Sequence, residues 1–303
     1  MSTWFIDHPQ RLTLEGDVTH VEVWFAHGRL NVVGTDGPPR VEISKVGRKG
    51  LTVRHEGGVL SIRHDVKGRL WTVWSGAFWW LFKGRQNYQA DVSVAVPRKV
   101  SASLGVLSGS VVASGVQGGA TVDVTSGSIT LMGVDGSVRA KTISGSIEAL
   151  GVGGDAGRGA GGELTAETVS GEITIADSSA RRVLARTISG AITCDLDNPR
   201  ASDIRLDTTS GEITVRVPED ADLVVDLNVT SGRITSAFPQ VRSGGGPVLR
   251  SAQGQLGAGS GALHAYAISG HVNLLARPAG DDHDRGDDHD RGDDHDRGDE
   301  ETS

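Results

Sequence analysis

Eight serines recur at near-regular spacing and could do chemistry: Ser108, Ser126, Ser144, Ser170, Ser189, Ser210, Ser231 and Ser269, each followed by glycine. A serine becomes a nucleophile when a histidine takes its proton and an acid orients that histidine. Neither partner recurs at a fixed offset from these serines. The pair instead sits inside a repeated phrase, apolar-x-apolar-x-Thr-x-Ser-Gly-x-Ile, with steps of 18, 18, 26, 19, 21, 21 and 38 residues. A period near twenty residues is the signature of a solenoid, whose coils cannot bury their apolar faces alone and are stabilised by stacking. Ser-Gly is then a corner, with glycine at a positive φ that a side chain would oppose.

Alternation within each copy sets what points inward. Thr168, Ala166 and Leu164 share a face, as do Thr187, Ala185 and Val183, and Thr208, Leu206 and Ile204. The charged Glu167, Arg186, Asp207 and Arg205 fall on the opposite parity, which specifies the register. After the corner, Ile129, Ile147, Ile173, Ile192, Ile213 and Ile234 occupy one place per coil and predict an aliphatic ladder spaced by about 4.8 Å. Each buried side chain of this kind stabilises by roughly 1.5–3 kcal/mol. The 26-residue step carries a glycine-rich insert (151–162), read as a loop at one corner, and the 38-residue step predicts a degenerate coil hidden near 251–263.

The fold class expected is all-β: a single-stranded parallel β-helix, or β-solenoid, with coils of about 18–21 residues and little helix. Glycine-rich, aromatic-poor composition agrees with strands joined by tight turns. The solenoid is expected over 1–277, with degenerate coils at 10–100 and regular Ser-Gly repeats at 101–277. In the first part, His27-Gly28 stands where Ser-Gly would sit. One continuous stack is the expectation there, and a small antiparallel sandwich over residues 1–100 is the alternative.

The Ser-Gly-x-Ile repeats, the unit at 21–34, the VAVP segment (94–97) and the stretch at 256–275 resemble the bacterial β-strand-repeat family known as putative adhesins. The resemblance covers roughly 10–277. It implies a right-handed single-stranded β-helix and an interaction role with no catalytic motif and no defined ligand.

Two segments break the repeat, and a solenoid commonly places its function at such departures. Residues 69–86 hold Trp71, Trp74, Phe78, Trp79, Trp80 and Phe82 beside Arg69, Lys83 and Arg85. This cluster is a candidate interaction patch, too short to span a bilayer. It fits a lid on the stack, a protein-binding or self-association surface, or an interfacial membrane contact. Residues 278–303 form an acidic tail of three DDHDRG repeats and DEETS. The tail holds ten Asp, two Glu and three Arg, which accounts for the chain's net charge of −8 and leaves a body near +1. Residues 281–303 lack apolar side chains, and the tail is expected to be disordered. Its His283, His289 and His295 could collect a divalent metal only weakly, without fixed geometry. Its Arg-Gly-Asp triplets follow automatically from the repeat.

No cofactor motif is visible, and the near-neutral body with an acidic tail disfavours nucleic acid. Cys194, the only cysteine, falls on the inward parity and reads as a buried thiol. The first residues show no basic start followed by an apolar core, which makes cytoplasm the expected address, with peripheral membrane association as the alternative. Glu148, Glu167, Glu172, Asp207 and Glu212 alternate with Arg139, Lys141, Arg186 and Arg205, a solvated mixed surface rather than a carboxylate groove. The function expected is a non-catalytic, adhesin-like binding or scaffold protein with an unknown protein or surface ligand. Alternatives are a scaffold that assembles end to end and a carbohydrate-active β-helix enzyme.

Overall fold

The computed structural model describes residues 2–64, 88–154, 162–196, 202–246 and 249–277. Among them are 21 strands and no helix. The N-terminal part runs β1 (Ser2–Ile6), β2 (Gln10–Thr13), β3 (His20–Thr35), β4 (Arg40–Val46), β5 (Leu51–Glu56), β6 (Val59–His64) and β7 (Gln89–Pro97). The repeats follow as β8 (Ser101–Ser114), β9 (Ala120–Ser126), β10 (Ile129–Met132), β11 (Val138–Ser144), β12 (Ile147–Leu150), β13 (Glu163–Ser170) and β14 (Ile173–Ala176). The C-terminal part is β15 (Arg182–Ser189), β16 (Ile192–Asp195), β17 (Asp203–Pro218), β18 (Leu223–Ser236), β19 (Arg242–Gly245), β20 (Arg250–Leu256) and β21 (Gly261–Arg277).

Each regular coil is a strand, a Ser-Gly corner and a second strand, stacked in parallel and in register on the next coil. Ser126, Ser144, Ser170, Ser189 and Ser210 pair in sequence through neighbouring strands. The inward parity is as expected: Leu164, Ala166, Val183, Ala185, Ile204 and Leu206 are fully buried. The ladder after the corner runs Val111, Ile129, Ile147, Ile173, Ile192 and Ile213, all inaccessible to solvent.

The glycine of each corner is demanded twice. Gly171 has φ +154°, and a Cβ there would lie 1.9 Å from the carbonyl oxygen of Gly145 in the coil below. Backbone stacked directly on backbone leaves no room for a side chain. The threonine of the phrase serves the same corner: Thr168 Oγ1 donates to the Gly145 carbonyl at 3.4 Å, and Thr187 repeats the contact to Gly171.

Coil order in space departs from coil order in sequence at both ends. β21 inserts between β17 and β18, pairing Ser269 with both Ser210 and Ser231. Val272 accordingly separates Ile213 from a half-buried Ile234. No coil is hidden near 251–263: β20 pairs antiparallel with β18, and β19 pairs antiparallel with β20. The 38-residue step is therefore a cap plus a return strand.

The N-terminal end is arranged alike. β3 lies inside, with β8 on one side and the coil made by β6 and β7 on the other, all parallel. His27 pairs with Ser108 and Gly28 with Gly109, so the His-Gly corner takes the place expected for it. Outside this coil the pairing turns antiparallel, β5 on β6 and β1 on β5 across one face, β4 on β7 and β2 on β4 across the other. The region is thus neither a continuous parallel stack nor a separate sandwich. Antiparallel strands lie directly on parallel coils and share one hydrophobic core with them.

Candidate functional site

Two outward rows run along the face that precedes the corner. Three residues before the corner residue, from the His27 coil to the Ser269 coil, stand, in spatial order, Trp24, Gly105, Asp123, Lys141, Glu167, Arg186, Asp207 and Tyr266. One residue before it stand Ala26, Leu107, Thr125, Ile143, Val169, Ile188, Thr209 and Ile268. Together with Arg63, His64 and Tyr88 at one end, these rows line a groove of about 1160 Å³. Its long axis is the stacking direction.

The second row is the unusual one. Ile188 is 54% exposed and Ile143 51%, with Val169 and Ile268 little less. Ile143, Val169 and Ile188 lie on three successive coils, with Thr209 between them and Ile268, and such a line of exposed aliphatics marks an interaction surface more than scattered surface leucines would. The signal was in the sequence, since Thr-Ile-Ser-Gly and Thr-Val-Ser-Gly put a branched apolar residue on the outward parity. Reasoning from the inward ladder passed over it.

The first row is charged but internally neutralised. Lys141 Nζ lies 2.5 Å from Glu167, while Arg186 and Arg205 reach Asp207 at 3.0 and 3.1 Å. Such partly exposed pairs add little stability. They do cancel the field along the groove, so an isolated charge has nothing to meet there. The carboxyl of Asp123 is pushed up by desolvation, opposed by Lys141 and Arg139. The expected mixed surface is what these residues form.

At its N-terminal end the groove becomes aromatic. The Trp24 indole packs over Gly105, where a Cβ would come within 2.0 Å of it. Glycine there makes the seat for the ring of the neighbouring strand. His64 is buried against Phe25 and Tyr88, with ring centroids 6.3 and 5.5 Å away. Neither His64 ring nitrogen has a hydrogen-bond partner among the described residues. Desolvation, with the charge of His27 as a second cause, pushes its pKa down to about 4.

This burial predicts a pH effect. A base whose pKa falls on folding stabilises the fold while neutral, so the contribution is complete above about pH 6.5 and is lost as pH falls through about 4. About 3 kcal/mol should disappear across that window. Urea denaturation at pH 7 and pH 4 measures it, and His64→Phe should flatten that part of the profile; an unchanged profile would refute the assignment.

The Trp-rich patch of Trp71, Trp74, Phe78, Trp79, Trp80 and Phe82 lies outside the described residues, as do His283, His289 and His295 in the tail. Among the described residues, β6 ends at His64, and β7 begins at the register position of the corner, Gln89 opposite His27. Cys194 stacks inward between Ile175 and Val215, and burial pushes its thiol up to about 12, far from a reactive thiolate. Among the described residues, no group of three or more His, Cys, Asp or Glu is placed to hold a metal ion. No described helix could cross a membrane, there being none of the needed length and apolarity.

Among solved structures, the chain is similar to a putative adhesin of Bacteroides fragilis (10% identity, 88% of this chain and 96% of that one, TM-score 0.43). It is also similar to a putative cell adhesion protein of Clostridium sporogenes (10%, 89% and 100%, TM-score 0.25). A third is a putative lipid binding protein of Parabacteroides distasonis (13%, 88% and 97%, TM-score 0.31). All three are distant, and what their names say about binding stays with those proteins. No curated protein matches the chain. A family description does match, over residues 34–274, most of the stacked coils. The chain belongs to the Toastrack DUF4097 family.

Proposed function

We propose that the protein is a non-catalytic binding module whose recognition surface is the groove along the face before the corner. The observation that carries this reading is the exposed aliphatic row of Ile143, Val169, Ile188 and Ile268, held in line by a rigid stack. Its partner is extended and largely apolar where it meets the groove, because the flanking charges are already paired. A hydrolase acting on glycans would need two carboxyl groups in different protonation states flanking a bond. Asp123 is raised by burial, but the groove's other carboxyl groups, Glu167 and Asp207, are held by cations rather than free to act as base or nucleophile. The end-to-end scaffold finds less support. Antiparallel strands overlie the coils at both ends, and such caps blunt the open edges that end-to-end addition would use.

A photo-crosslinking residue in place of Ile188, introduced into the full chain in its native host, tests the reading. Thr193, which faces outward beyond the corner, is the control position. Adducts from position 188 and few from 193 are expected. Equal yields from both, or none from either, would reject the groove as the binding surface.

A further inference from the structure

Along the groove, every strand already has a coil on both sides. β9 lies between β8 and β11, β11 between β9 and β13, β13 between β11 and β15, and β15 between β13 and β17. The backbone N–H and C=O groups are used up in this stacking, so the groove offers a face and no open edge. An extended peptide binds a sheet by adding a strand to an edge. Laid on this face, it would press its own N–H and C=O groups against Ile143, Val169 and Ile188, whose side chains form no hydrogen bond. The charged row beside them supplies no substitute, because Lys141 is paired with Glu167 and Arg186 with Asp207. What lies along the aliphatic row is therefore something without polar groups along its length, a hydrocarbon chain.

The aromatic end calls for different chemistry. His64 lines it, 8% exposed, with Phe25 and Tyr88 packed on its ring. Its two ring nitrogens lack hydrogen-bond partners among the described residues, and a buried polar group in that state is destabilising until something supplies the bond. Burial keeps the ring neutral at pH 7, so one nitrogen donates and the other accepts. A hydroxyl group can meet either nitrogen; a carboxylate can meet only the donor. Trp24 and Tyr88 line the same end, and rings of these two types favour the level of lipid headgroups. Leu107, Thr125, Ile143 and Val169 follow on four successive coils, three steps of about 4.8 Å or about 14 Å in all. One leaflet of a bilayer holds about 15 Å of hydrocarbon, half of the roughly 30 Å core. The row thus has the length of one ordinary acyl chain.

We propose that the groove takes a single-chain amphiphile with an uncharged, hydroxyl-bearing head, of the monoacylglycerol class, with its head at His64 and its chain along Leu107, Thr125, Ile143 and Val169. This deepens the binding reading given above and rests on it. Head and chain are recognised by different residues, so each half can be tested alone.

The test is equilibrium binding of tritiated monooleoylglycerol to the full chain, below the concentration at which the probe aggregates. Oleate is the comparison, sharing the chain and carrying a charge. Wild type should bind the glyceride saturably and at least ~10-fold more tightly than oleate at pH 7, since the groove offers a carboxylate no unpaired cation. His64→Phe keeps a ring and removes the hydrogen bond, which should weaken the glyceride about 3- to 10-fold. Ile143→Asp, at an exposed position, sets a charge against the chain and should weaken it at least ~10-fold. Thr193→Asp, facing outward beyond the corner, should bind as wild type does. Circular dichroism confirms that each variant is folded. A wild type without saturable binding, oleate bound as tightly as the glyceride, or glyceride binding unchanged in His64→Phe or in Ile143→Asp overturns the proposal. The crosslink from position 188, one coil beyond Val169, separates the two levels. An adduct of small mass supports the amphiphile, adducts only to a macromolecule overturn it while leaving the binding surface in place, and none at all removes both.

Discussion

Gly171→Ala should destabilise the protein by about 2–4 kcal/mol, although it adds one methyl group at the surface end of a corner. Two causes act together. At φ +154° an alanine is strained wherever there is space, and here there is none, since the Cβ would sit 1.9 Å from the Gly145 carbonyl oxygen. Relief requires the two coils to part, which weakens the stacking of Thr168, Ile173 and their neighbours on both sides. For a chain of this size the loss corresponds to a drop in Tm of roughly 6–12 °C. Thermal unfolding followed by circular dichroism reads it directly. Ser170→Ala, one position earlier and exposed, is the contrast and should shift Tm little. Equal melting of Gly171→Ala and wild type would show that the corner does not need its glycine.

Ile173→Ala should cost about 3–5 kcal/mol. The side chain is inaccessible and lies in the ladder between Ile147 and Ile192, so its removal leaves a cavity bounded by stacked backbone that cannot collapse inward. The same substitution at Ile234 should cost about half as much or less. That residue is half-buried, and its ladder position has a neighbour, Val272, on one side only. Urea denaturation of the two variants measures the difference, and equal losses would refute the role assigned to the ladder. The comparison also tests how local the energetics are. In a stack where each coil touches only its neighbours, an interior loss breaks two interfaces and a terminal loss breaks one.

Much of the scaffold was legible from the repeat. Leu164, Ala166 and Thr168 point inward because strand side chains alternate, and that period holds whatever the coil stacks on. The isoleucines at 129, 147, 173, 192 and 213 form their ladder because equal coil lengths bring equal positions together. The corner glycine and its threonine could be named from sequence as a turn. Their closer reason, the carbonyl of the coil below, belongs to the stacked state.

The candidate site was less visible. Its charged row was recognised as outward and mixed, yet the adjacent Ile143, Val169 and Ile188 were overlooked, because an apolar residue in a β-rich sequence is first assigned to the core. That these side chains are exposed follows from the corner. The phrase places two successive outward residues, Ile188 and Ser189, before the glycine, and the chain can bury neither. The aromatic end of the groove was harder still, since Trp24 and Gly105 lie 81 positions apart and nothing local relates them.

Coil length, inward parity, corner chemistry and the ladder are local properties of this chain, each set by steric rules acting within about twenty residues. The order of the coils is a different matter. Every repeat offers its neighbours nearly the same edge and the same apolar rungs, so Ser210 is as compatible with the phrase around Ser231 as with the phrase around Ser269. Tertiary structure decides between them: β21 enters between β17 and β18 because β19 and β20 cap the outer side of β18, and β3 lies inside because β4 to β7 take the outer places. Only the assembled stack brings the outward rows together along one groove.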